Sequence, residues 1–169
     1  LSNEQAPFTL VSAGANPADI VIYSTDQTIT QAADDLAEKL QAISGAQFSV
    51  TTSKNGRRGI AVGLPTDFDH LPPGAVAFGD GGDPNLASDA FLREQYIIHS
   101  TSDAVCLIGK TPLAVQHAVW DLLSRFGYRH YFPRAPWEHI PSNDTLTIDI
   151  DIDETPDYRA RRIWYNGII

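Results

Sequence analysis

The stretch from Ala104 to Gly127, AVCLIGKTPLAVQHAVWDLLSRFG, decides how the rest of the chain is read. Ala104 to Ile108 form a short apolar run that predicts a strand. Thr111 stands where a helix N-cap belongs, Pro112 at the first helical position and Gly127 just past the end. Between them Val115, Ala118, Val119, Leu122, Leu123 and Phe126 fall on one helical stripe. A strand therefore leads through a tight turn into an amphipathic helix with an apolar face to cover.

Upstream the same logic finds a second helix. Ile29, Ala33, Leu36, Leu40 and Ile43 recur at helical spacing, with Asp34, Asp35, Glu38 and Gln41 on the other side. Thr28 followed by Gln31 predicts a capping box at its start, and Gly45 a left-handed stop. Strands are expected at Phe8–Val11, Ile20–Tyr23, Gln47–Thr51, Gly59–Val62 and Gln95–His99. Ser100 to Asp103 is the turn of a hairpin joining Gln95–His99 to Ala104–Ile108. The run Leu146, Ile148, Ile150, Ile152 alternates with polar residues and predicts one strand with a wet face. From Leu64 to Ala90 prolines and glycines dissolve the pattern, apart from a short strand at Ala75–Phe78. Paired strands with two strong helices predict an α+β fold: a two-layer sandwich of a mixed or antiparallel sheet with both helices on one face.

Composition narrows the function. The 169 residues are 43% hydrophobic and 20% charged, in the range of a single globular domain. Twelve Lys and Arg against 21 Asp and Glu leave a net charge of −9, which argues against nucleic acid and anionic membranes as partners. A single cysteine excludes a disulfide framework and any CxxC site. No methionine occurs, and no signal peptide opens the chain, so excision from a longer, already processed precursor is the expectation.

Tempting motifs fail on their details. Gly109-Lys110-Thr111 before a helix suggests a phosphate loop, but Ala104 sits where the leading glycine should be. Gly79-Asp80-Gly81-Gly82 has Pro84 where a dinucleotide fingerprint needs its third glycine. Asp149, Asp151 and Asp153 could serve as calcium ligands, yet alternate strand residues lie roughly 7 Å apart, and a solvated face is the simpler reading. His70, His99, His117, His130 and His139 never form HExxH. Cys106 falls mid-strand, where a buried inert thiol is the default. No metal or other cofactor is expected. Glu138, His139 and Asp144 are the nominees for a small independent enzyme, without a paired constellation to support them. Trp137, Tyr131 and Arg134 could instead contact a carbohydrate, the rings stacking on a sugar and the guanidinium reaching its hydroxyls.

Two stretches together carry a resemblance. Ala32-Ala33-Asp34-Asp35-Leu36, running through Leu40 to Ser44-Gly45-Ala46, is one. Gly109-Lys110-Thr111-Pro112, running through Trp120-Asp121-Leu122-Leu123 to Gly127-Tyr128-Arg129-His130-Tyr131-Phe132-Pro133 and Ile140-Pro141, is the other. They resemble the N-terminal, hexosaminidase-like domain that precedes the catalytic barrel in β-N-acetylhexosaminidases, α-glucuronidases and related glycoside hydrolases. Where this chain has His130, that family often has tryptophan.

The resemblance implies a sheet backed by two helices and a non-catalytic accessory role, since the catalytic carboxylates of those enzymes lie in the barrel. It implies an exported bacterial parent whose barrel is this domain's partner, with an oligosaccharide as a further possible partner and no catalytic residue in this chain. The accessory domain would span 1–154. Residues 155–169 would be a linker and the first strand of the barrel, since the apolar run Ile163 to Tyr165 needs covering on both faces. A stand-alone carbohydrate-binding module is the alternative.

Overall fold

The computed structural model describes residues 4–53, 58–72, 92–131 and 135–155. The candidate strand Ala75–Phe78, the glycine turn at 79–82, Arg134 and the run Ile163–Tyr165 lie outside them. The chain begins with β1 (Phe8–Val11) and β2 (Ile20–Ile22), then α1 (Gln27–Ser44), β3 (Val50–Thr52) and β4 (Gly59–Gly63). The hairpin β5 (Tyr96–Ser100) and β6 (Ala104–Gly109) leads into α2 (Pro112–Arg125). Two short strands follow, β7 (Arg129–His130) and β8 (Glu138–His139), and then β9 (Leu146–Ile148) and β10 (Asp151–Glu154).

The main sheet has six strands in the order β10-β5-β6-β4-β2-β3. β3, β2, β4 and β6 run parallel, while β5 and β10 make the far side antiparallel. Adjacent parallel strands need a crossover, and α1 supplies it between β2 and β3. One face of the sheet presents Ile20, Ile22, Ile60, Val62, Ile98, Val105 and Leu107 to the stripes of α1 and α2. The opposite face carries Ala61, Ile97, Ala104, Cys106 and Ile108, with Phe68 and Leu71 packed on it. The fold is α+β with both helices on one face, as the sequence predicts, and Cys106 is buried.

The start of α1 differs from the expected capping box. Asp26 is the N-cap, its carboxylate accepting from the amides of Thr28 at 2.8 Å and Ile29 at 3.3 Å. Gln31 turns outward and donates to Asp35 at 2.9 Å instead. A carboxylate two residues before Thr28 reaches two orphan amides and carries the charge that the helix N-terminus favours. Asp26→Ala should therefore cost about 1 kcal/mol, whereas Thr28→Ala should stay within about 0.5 kcal/mol. Urea midpoints measure both, and a larger loss in Thr28→Ala would reverse the assignment. At the other end Gly45 takes φ 77° and its amide closes on the Gln41 carbonyl at 2.8 Å, as expected.

The single strand expected over Leu146–Ile152 is two. β9 pairs with β1, and β10 pairs with β5 at the edge of the main sheet. The break falls at Ile150, whose carbonyl accepts from the Ser100 amide at 2.8 Å and whose amide donates to the Ser100 hydroxyl at 2.9 Å. Buried Ser100 thus satisfies the backbone where the chain changes sheets. The alternation itself holds, because Leu146, Ile148 and Ile150 are buried while Thr147, Asp149 and Asp151 are exposed.

Candidate functional site

The segment after α2 gathers most of the residues that the sequence nominates. β7 and β8 pair antiparallel, with Arg129 opposite His139 and His130 opposite Glu138. The Tyr131 amide then donates to the Trp137 carbonyl at 3.0 Å, which closes the ribbon at its tip. Tyr131 and Trp137 therefore stand together, and both are solvent-facing at 63% and 53% exposure. Arg134 lies outside the described residues.

Beneath the ribbon sits a charged clasp. Tyr128 is buried, and its hydroxyl donates to Glu138 Oε1 at 2.7 Å. Lys39 Nζ, reaching over from α1, donates to the same oxygen at 2.9 Å and to Glu38 Oε1 at 2.9 Å. The ammonium lies 5.9 Å from the centre of the Tyr128 ring, and Trp120 packs on that ring at 5.7 Å with a 32° tilt. The hydrogen bond from Tyr128 and the one from Lys39 hold the Glu138 carboxyl below its ordinary value. Lys39 is held above its own, first by the Glu138 hydrogen bond and then by the one to Glu38. Burial, followed by the Glu138 hydrogen bond, pushes Tyr128 up to about 12.

These directions decide what the cluster can do. An acid catalyst needs a carboxyl raised toward neutral pH, and a catalytic lysine needs a depressed ammonium. Glu138 and Lys39 have moved the other way. Together they tie the ribbon to α1. Lys39 has no nomination in the sequence reading. The signal was its place beside the apolar stripe, between Leu36 and Leu40, where a long side chain lies flat on the core and puts its head at the margin.

The remaining nominees disperse. His139 is exposed on β8, and Asp144 accepts from the Thr145 hydroxyl at 3.1 Å in the turn before β9. The three alternating acids each take a protein partner: Asp149 from Gln5 at 2.9 Å, Asp151 from His99 at 2.9 Å and Asp153 from Gln95 at 2.7 Å. Among the described residues no group of three or more His, Cys, Asp or Glu could hold a metal ion. None of their helices is long and apolar enough to cross a membrane.

Comparison with known proteins identifies the fold. It matches part of a family GH115 4-O-methyl-α-glucuronidase with specificity for decorated arabinogalactans, at a TM-score of 0.55 and 15% identity, over 88% of this chain and 18% of that one. It also matches part of a GH20 β-N-acetylhexosaminidase from Streptomyces coelicolor A3(2), at a TM-score of 0.53 and 19% identity, over 92% of this chain and 24% of that one. At these identities the likeness is one of fold. The chain thus spans about a fifth to a quarter of either enzyme's length. No protein-family profile and no curated protein sequence matches it.

Proposed function

We propose that this chain is a non-catalytic accessory domain, of the hexosaminidase-like kind, belonging to an exported bacterial glycoside hydrolase and seated against its catalytic barrel. The observation that carries the reading is the asymmetry of the structural match, which takes in nearly all of this chain and only a minor share of two glycosidases. The state of Glu138 supports it, since an ionised carboxylate tied to a tyrosine and a lysine is a poor proton donor. Two tests apply. The purified chain should not hydrolyse chromogenic glycosides, and its thermal stability should rise when the barrel segment of its parent is added, as ligation of the folded state requires. Turnover that disappears in Glu138→Gln would overturn the proposal, as would a barrel segment that leaves the melting temperature unchanged.

The binding-module alternative is favoured by one observation, the shared exposure of Tyr131 and Trp137 at the ribbon tip. Paired exposed rings suit stacking on sugar faces. Saturable glycan-induced NMR shifts centred on Trp137, lost in Trp137→Ala, would select that alternative.

A further inference from the structure

We infer that Cys106 and His99, neighbours across β6 and β5, form a two-ligand site for a soft monovalent cation, copper(I), with Asp151 holding the histidine from behind. The inference concerns this domain alone and does not depend on what the domain is attached to. Register sets Asp151, His99 and Cys106 side by side on the adjacent strands β10, β5 and β6. Ile98, Val105, Leu107 and Ile152 turn toward the helices, so alternation puts these three on the opposite face, with Ile97, Ala104 and Ile108. His99 and Cys106 are each 4% exposed. No spacing motif announces the group, because residues 99, 106 and 151 meet only through strand pairing.

The state of His99 is what points to a ligand. Its Nδ1 lies 2.9 Å from Asp151 Oδ1, and a carboxylate only accepts, so Nδ1 carries the proton. In the neutral ring that leaves Nε2 as a bare lone pair. Among the described residues this is the buried side-chain atom left without a hydrogen bond. An unsatisfied buried acceptor destabilises the fold unless something answers it. The two nitrogens sit on opposite flanks of an imidazole. Holding Nδ1 on the β10 side therefore turns Nε2 toward the β6 side, where Cys106 stands. Histidines that bind metals share this arrangement: one nitrogen ligates while the other donates to a carboxylate, which fixes the tautomer and strengthens the ligating lone pair.

Donor type, donor number and charge choose the ion. Thiolate and imidazole together suit copper(I) or zinc. Structural zinc takes a tetrahedron of protein ligands. Among the described residues no group of three or more His, Cys, Asp or Glu could hold an ion, and the surrounding Ala61, Ile97, Ala104 and Ile108 bring no donor side chain. Copper(I) is content with two ligands in line. A single thiolate also cancels its charge, so the loaded site is neutral, whereas a divalent ion would leave a net charge in an apolar setting. On binding, the Cys106 thiol releases its proton to solvent and the sulfur takes the cation, with no change of oxidation state.

The test is an anaerobic titration of the chain, both native and refolded from urea, against the copper(I) complex of bicinchoninate, whose colour fades as copper leaves it. Cys106 is the only cysteine and there is no methionine, so no other soft sulfur competes. Wild type should withdraw one copper per chain, and Cys106→Ala should lose that uptake. Asp151→Asn changes a side chain that is 56% exposed, so the fold should survive while copper affinity falls about tenfold or more. In long-range proton–nitrogen spectra of the wild type, His99 Nε2 should be the imidazole nitrogen that moves. Uptake that persists in Cys106→Ala would overturn the inference, as would uptake that leaves His99 Nε2 in place, zinc binding there as tightly as copper(I), or no uptake by the wild type in either form.

Discussion

Gly109→Ala is expected to destabilise the domain by about 3 kcal/mol or more, the upper end of overpacking costs. At roughly 2–4 °C per kcal/mol for a chain of this size, the melting temperature should drop by about 6 °C or more. The cause is where α2 starts. A Cβ on Gly109 would come 2.3 Å from the Val115 amide nitrogen and 2.6 Å from the Ala114 carbonyl carbon, both backbone atoms of the first helical turn. That turn cannot retreat cheaply. The Thr111 hydroxyl accepts from the Ala114 amide at 3.2 Å and donates to the Arg93 carbonyl at 2.6 Å, so the cap is fixed from both sides. Gly63→Ala is the control. Its Cβ would run first into the Asp67 side chain, at the price of the 2.8 Å bond from the Leu64 amide, or about 1 kcal/mol. If the two variants melted at similar temperatures, the close approach of β6 to α2 would be wrong.

Glu138→Gln should cost about 1–3 kcal/mol at neutral pH. It leaves Tyr128 an acceptor but removes the countercharge that Lys39 is held against, and both side chains are about four-fifths shielded from solvent. The pH dependence is more diagnostic than the size. The folded protein holds Glu138 below its ordinary carboxyl value, so the native state binds that proton less readily than the unfolded chain does. The stabilisation is then fully present above the unfolded value of about 4.3 and is lost as pH falls through the folded one. The gap between wild type and variant should narrow as the solution is taken below about pH 4. Urea midpoints at neutral and acid pH measure it. A gap that stays constant would mean that the clasp contributes through shape alone.

Much of the architecture is legible in local chemistry. Thr111, Pro112 and Gly127 mark one helix and the stripe from Ile29 to Ile43 the other, because capping and periodicity act over a few residues. What local patterns could not carry is which partner each segment finds. The alternation from Leu146 to Ile152 is real, yet nothing in it says that the chain changes sheets at Ile150, since that depends on Ser100, some fifty residues away. Thr28 and Gln31 imitate a capping box at the right spacing and so mask Asp26, the actual N-cap. The candidate site shows the same division. Tyr131 and Trp137 stand together because a short ribbon is a local structure, whereas Glu138 meets Lys39 across a long stretch of chain, by a side-chain contact that no local pattern carries.

The pairing of β1 with β9 bears on how the domain is made. Thr9 and Thr147 face each other across the ribbon although they stand 138 positions apart in the chain, their hydroxyls 3.0 Å apart. β1 is therefore synthesised long before the strand it pairs with, and must wait for β9 to be made. Long-range closures of this kind slow folding and leave apolar segments exposed in the interim. Phe8, Leu10 and Val11 are such a segment, and they belong to the same core as both helices. β2, α1 and β4 all precede β9 in the chain, so their contacts are available before the pairing that closes β1.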